Sequence, residues 1–254
     1  MTEHSWYYPD DFRSIAYNKV ERRANKPSSP GVVFLGGLAS NMEGTKATYL
    51  EGWAKDSGNS FIRFDYTGHG KSSGDFSKGS ISSWFEDALS VLNELTSGPQ
   101  ILVGSSMGGW IALLLAKHKP ERVHSLIGIA AAPDFTEDYM WKGFDEKQKL
   151  QIMAEGFIYQ ESEYSEEPYK ISKNLIIESR KHLILRERLI LPFPIRLLQG
   201  TDDQDVPIDV STNLLQHLES PDAKLEIVKD ADHSFSSERC LQLISSHINQ
   251  LVIK

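Results

Sequence analysis

The chain has one cysteine, Cys240, so it can form no disulfide within itself, and a reducing compartment is the expected setting. It has no long apolar run. The longest, Trp110 to Ala116, falls far short of the roughly 18 residues that suggest a bilayer span. It has no excess of positive charge either: 35 acidic residues against 27 basic ones leave a net charge of −8. Such a surface repels a nucleic-acid backbone or an anionic membrane, and no local basic patch offsets it. Internal repeats and low-complexity tracts are absent. What remains is 254 residues, 40% apolar and 24% charged, enough for one large α/β domain that buries roughly 70 to 75% of its unfolded surface without a disulfide or a structural metal.

Short β-branched and aliphatic runs alternate with amphipathic stretches, the pattern of a mostly parallel sheet covered on both faces. Strands are expected at Val32 to Leu35, Phe61 to Phe64, Ile101 to Val103, Ser125 to Ile129, Ile195 to Leu198 and Lys224 to Val228. Helices are expected at Lys46 to Asp56, Ser83 to Leu95, Met107 to Lys117, Pro207 to Leu218 and Glu238 to Leu251. Ser14 to Arg22 alternates weakly, as an exposed antiparallel edge strand would, and Lys26 to Gly31 reads as a turn. The predicted fold class is a doubly wound α/β sheet.

The alternation stops after Ala132. Residues 133–191 are charged, aromatic and helical in period, with Tyr139, Trp141, Phe144, Ile152, Met153, Phe157 and Tyr159 and an acidic cluster at Glu161, Glu163, Glu166 and Glu167. Inserted between two strands, this segment reads as a helical lid over the strands' carboxyl ends, with 1–132 and 192–254 forming the core. A helical elaboration that never meets a ligand is the alternative.

Gly104-Ser105-Ser106-Met107-Gly108 matches G-x-S-x-G. The pattern alone is weak, but Gln100 to Val103 is a buried strand directly before it and Trp110 to Ala116 a buried helix directly after it. A serine on such a sharp strand-to-helix turn has strained backbone angles, and glycines two residues away avoid a clash. A turn that merely lets the helix pack on its strand is the bland reading. A serine hydroxyl also needs a base and an acid that orients the base. His233 follows the last expected strand and precedes the final helix, the address this chain order requires. The loop Gly200 to Pro207 offers the acid: Asp203 is the choice and Asp205 the alternate, since Asp205 near a helix start already has a structural purpose. Backbone N–H groups of Leu38, in Gly36-Gly37-Leu38-Ala39, and of Met107 are the expected oxyanion donors. Gly70-Lys71-Ser72 resembles the end of a phosphate-binding loop, but the pattern needs glycine where Asp65 stands, so nucleotide binding is not expected.

The elbow, the Gly68-His69-Gly70-Lys71-Ser72 turn and the Gly200 to Pro207 loop resemble the α/β-hydrolase family from about Gly31 onward. Gly44-Thr45-Lys46-Ala47, Ile62 to Tyr66, Gly98 to Trp110 and Pro194 to Leu198 narrow the likeness to the palmitoyl-protein thioesterase and acyl-glucuronide esterase branch and its alphaproteobacterial relatives. The resemblance implies serine-dependent hydrolysis of acyl thioesters or carboxylic esters with no cofactor or metal. Its nucleophile, acid and base fall on Ser106, Asp203 and His233. The chain departs from the branch at Gln199, where the family usually has histidine. It begins with no mitochondrial presequence, so a bacterial cytoplasm is expected, or a mitochondrial matrix for a processed form. Two rival functions stay open at this point. One is a general carboxylesterase for small esters, the other a non-catalytic binding protein on a hydrolase scaffold. A dehalogenase is excluded because that reaction needs a carboxylate where Ser106 stands.

Overall fold

The computed structural model describes residues 4–25, 29–160 and 168–253. The expected acidic cluster at Glu161, Glu163, Glu166 and Glu167, and the first part of the expected turn at Lys26 to Gly31, lie outside the described residues. Eight strands form the main sheet: β1 (Ser5–Tyr7), β2 (Ile15–Val20), β3 (Gly31–Leu35), β4 (Phe61–Phe64), β5 (Gln100–Ser105), β6 (Val123–Ile129), β10 (Ile195–Gly200) and β12 (Ala223–Val228). Their spatial order is β1-β2-β4-β3-β5-β6-β10-β12. From β4 to β12 neighbouring strands run parallel, while β1 and β2 are antiparallel additions at one side. This is the α/β-hydrolase architecture.

Alternation along the central strands sorts side chains between two cores. Val33, Leu35 and Leu102 face one layer, which includes α2 (Ile81–Glu94) and α3 (Met107–His118). Val32, Phe34, Ile101 and Val103 face the other, covered by α1 (Thr45–Ser57) and α7 (Glu238–Val252). Strands buried on both faces read as continuous apolar runs, which is why they were legible. Side-chain caps set the starts of α2 and α7: Ser80 accepts from the Ser83 N–H while the Ser83 hydroxyl accepts from the Ser80 N–H, and Ser237 caps α7.

Three expectations need correction. The strand expected at an exposed edge is antiparallel, but β2 buries Ile15 and Ala16 and lies one place in from the edge, because the three residues of β1 cover it. The helix expected to begin at Pro207 is α6 (Ile208–His217), with Pro207 just outside it in an extended conformation. Leu218, expected to end that helix, instead begins a short strand β11 (Leu218–Glu219) paired with β9 (Leu189–Ile190).

Between β6 and β10 the chain makes a π-type helical turn (Thr136–Trp141), α4 (Glu146–Glu155), the antiparallel pair β7 (Phe157–Gln160) and β8 (Tyr169–Ser172), and α5 (Lys173–Ser179). The segment therefore contains a hairpin as well as helices. Asp134, fully buried at its entry, accepts the Ile184 and Leu185 N–H groups at 2.8 and 2.9 Å and so ties the way in to the way out. Trp110 of α3 donates its ring N–H to the His182 carbonyl at 3.0 Å, seating the segment on the core. Among the described residues no helix is long and apolar enough to cross a membrane.

Candidate active site

Ser106 stands between the end of β5 and the first turn of α3 with φ 55° and ψ −119°, a backbone conformation that costs an L-residue energy and persists only where its surroundings enforce it. The enforcement is visible. Ser106 N donates to the Ile129 carbonyl at 2.9 Å, and its own carbonyl accepts from Gly109 N at 2.9 Å and Ala132 N at 3.1 Å. A Cβ on Gly108 would collide with the carbonyl oxygens of Leu35 and Gly36, and one on Gly104 would collide with the Gly108 carbonyl. The two glycines thus let strand, turn and helix approach closely enough to push Ser106 out at the carboxyl edge of the sheet.

Ser106 and His233 line one cavity of about 670 Å³. His233 sits on the loop between β12 and α7, and its Nδ1 lies 3.0 Å from each carboxylate oxygen of Asp203. Asp203 follows β10 and is itself buried. Its Oδ1 accepts from Asp205 N at 3.0 Å and Val206 N at 2.8 Å, and its Oδ2 accepts from Gln199 Nε2 at 3.0 Å. Burial pushes the Asp203 carboxyl upward, but the bonds from His233, Val206 N and Gln199, together with the attraction of the imidazole's charge, outweigh it and hold the group below its ordinary range. Asp203 is therefore an anion with its lone pairs aimed at donors, one of which is the imidazole.

Asp205, the alternate, is also close: one ligand-capable atom from each of Asp203, Asp205 and His233 lies within 4.8 Å of the others. That cluster could in principle hold a cation. The donor set argues otherwise, because the Asp203 oxygens already face backbone and side-chain N–H groups. Leu38 lies in the cavity wall, and Met107 is buried as the first residue of α3. Gly37, next to Leu38, approaches Ser106 so closely that a Cβ there would touch its Cβ at 3.4 Å.

Sequence reasoning missed several contributors. Gln199, noted only as a departure, is fully buried. It bridges the acid loop by donating to Asp203 and the Val206 carbonyl (2.9 Å) and accepting from the Ser211 hydroxyl (2.7 Å). Its glutamine type was a visible signal, since a buried amide joins donor and acceptor needs at once. Lys46 lines the cavity, donates to the Ser234 carbonyl beside His233, and is pushed down to about 8 by burial against the pull of nearby carboxylates. Phe135, Met140, Tyr169, Ile171, Val206 and Val210 form an apolar wall, the first four from the inserted segment. The other histidines find partners elsewhere: His182 with Ser82, His247 with Glu226, His118 with the Leu114 carbonyl.

Comparison with known proteins agrees with this architecture. Residues 30–152 match the family model described as alpha/beta hydrolase fold. The chain is 37% identical over 242 residues to the mitochondrial palmitoyl-protein thioesterase ABHD10 of Rattus norvegicus, covering 95% of this chain and 80% of that protein. It is 36% identical over 245 residues to the Homo sapiens protein of the same name, covering 96% and 78%. Among solved structures, a protein from Agrobacterium vitis S4 superposes with a TM-score of 0.93 at 35% identity over 98% of each chain. The alpha/beta hydrolase domain-containing protein 10 from mouse does so with a TM-score of 0.89 at 33% identity over 99% of each. Likeness of this extent, over nearly the whole length of the chain, means that it belongs to the α/β-hydrolase family, in the branch that holds the ABHD10 proteins.

Proposed function

We propose that the protein is a serine hydrolase that cleaves acyl thioesters or carboxylic esters through an acyl-enzyme. Ser106 Oγ attacks the acyl carbonyl as His233 takes its proton, and Asp203 fixes the imidazole tautomer and stabilises its charged form. The N–H groups of Leu38 and Met107 hold the oxyanion, with Met107 at the positive end of α3. His233 returns the proton to the leaving group, then activates water, which releases the acid and restores the serine. The chemistry needs no cofactor. The observation that carries this reading is a serine held at φ 55° in the cavity that also exposes an imidazole bonded to a buried carboxylate.

The inserted segment, 133–191, acts as a lid. The apolar wall it shares with Val206 and Val210 suits a fatty acyl chain, in keeping with the relatives named as palmitoyl-protein thioesterases. The net charge of −8 disfavours a nucleic-acid partner, and the lone, buried Cys240 accords with a reducing compartment such as a bacterial cytoplasm. A fluorophosphonate probe tests the core of the proposal. Wild type labels, and Ser106→Ala does not and loses about 10⁴-fold or more of its esterase activity. An unlabelled wild type, or a Ser106→Ala variant labelled equally well, overturns it.

A further inference from the structure

The turn Gly68 to Ser72, set aside as a nucleotide loop, lies against the loop that carries Leu38. His69 is buried, and its ring is seated edge-on among Tyr66, Phe76 and Trp84 at centroid distances of 5.7, 5.1 and 5.1 Å. Its Nε2 accepts the Ala39 N–H at 3.1 Å. Because a backbone N–H can only donate, Nε2 must be the bare nitrogen and Nδ1 the protonated one. Ala39 needs such a holder, since it sits at φ 54° without being glycine. Three residues on, Met42 N donates to Asp65 Oδ1 at 2.6 Å, while Asp65 Oδ2 accepts from Lys71 N at 2.8 Å. The Ser40 hydroxyl closes the loop on the Gly37 carbonyl at 2.8 Å. His69 from this turn and Asp65 from just before it therefore both bond the backbone of the loop that follows Leu38.

We infer that His69 is a positioning residue for the reaction: by accepting the Ala39 N–H it fixes the Leu38–Ala39 peptide, and with it the direction in which the Leu38 N–H points at the developing oxyanion. The ring touches no reacting atom. Its burial keeps it neutral, with the pKa pushed down to about 4, so Nε2 is not lost as an acceptor to protonation near neutral pH. The inference rests on the serine-hydrolase reading above, and the experiment separates the two.

Three proteins are compared on one acyl ester: wild type, His69→Leu, which fills the space without an acceptor, and His69→Gln, whose side-chain oxygen can accept the same N–H. Fluorophosphonate labelling of wild type is checked first, and its failure refutes the serine reading whatever His69 does. With labelling intact, His69→Leu is expected to lose about a hundredfold in kcat with KM within about threefold, because a donor displaced by an ångström is lost only in the transition state. His69→Gln is expected to recover to within about tenfold of wild type. A merely structural histidine lowers thermal stability in both variants but neither splits kcat from KM nor is rescued by glutamine. Unchanged kcat in a folded His69→Leu, or a His69→Gln as slow as His69→Leu, overturns the inference. Should the leucine variant not fold, imidazole ¹⁵N shifts of wild type decide: a bare Nε2 is expected, and a protonated Nε2 refutes it.

Discussion

Asp203 and Asp205 stand two residues apart beside one imidazole, and their surroundings differ. Asp203 is buried, anionic and bonded to Nδ1 through both oxygens, while its other partners are N–H groups that hold it still. Asp205 supplies one of those N–H groups from its backbone. Asp203→Asn should therefore cost about 10⁴-fold in kcat, because an amide aimed at Nδ1 favours the wrong tautomer. Asp205→Asn should stay within about tenfold of wild type. Steady-state kinetics on a single ester checks both, and a reversed ranking would move the acid to Asp205. At this scale the site was legible where an address is local. Ser106 sits on a strand-to-helix turn and His233 on the loop after the last strand, and both can be read along the chain. Gln199 beneath Asp203 and His69 beneath Ala39 could not be read that way, because each acts across a contact that only the folded sheet creates.

The elements legible in the sequence are those whose pattern runs long enough to be seen: the five strands with buried runs, β3, β4, β5, β6 and β10, and helices such as α2, whose apolar residues recur on one face. The illegible ones are short. β1 has three residues and β9 and β11 two each, and the hairpin β7–β8 has four in each strand within a segment otherwise helical in period. Pairing partners, not local pattern, make these strands. The turn after β4 is a further case, where a glycine-rich string gains its meaning from what it grips, and it leaves a trace in stability. His69 titrates at about 4 when folded against an ordinary 6.5, so between those values the unfolded chain binds more protons than the folded one. Stability from this group is complete above pH 6.5, erodes as pH falls from 6.5 to 4, and is flat below. Over that window wild type should lose about 3 kcal/mol relative to His69→Gln, which has no such titration. Urea unfolding of both proteins at pH 7 and pH 4 measures it, and parallel losses would mean that the ring is solvated.

At the scale of the whole molecule, the cavity is a joint product of the core and the inserted segment. Ser106, His233 and the Leu38 loop come from carboxyl ends of the sheet, where an open α/β fold places its ligands. Phe135, Met140, Tyr169 and Ile171 come from the inserted segment, which packs into the same core cluster as α2 and α3. Asp134 and Trp110 fasten that segment to the core at its base. If the wall receives the acyl chain, then filling it should shorten the chain that fits without disturbing the chemistry beneath. Met140→Trp adds bulk at the half-buried face of the π-type turn, away from Ser106, Asp203 and His233 in sequence and on a different element. The expected result is a shift of the optimum in kcat/KM toward shorter acyl groups, with hydrolysis of an acetyl ester kept within about threefold and long-chain thioesters slowed by about tenfold or more. A methylene that no longer fits forfeits roughly 1 to 3 kcal/mol of binding, so the loss should deepen with each carbon beyond the new limit. A uniform fall across all chain lengths would indicate damage to the catalytic groups. An unchanged profile would show that the segment stands clear of the substrate and that the acyl group lies along the core instead.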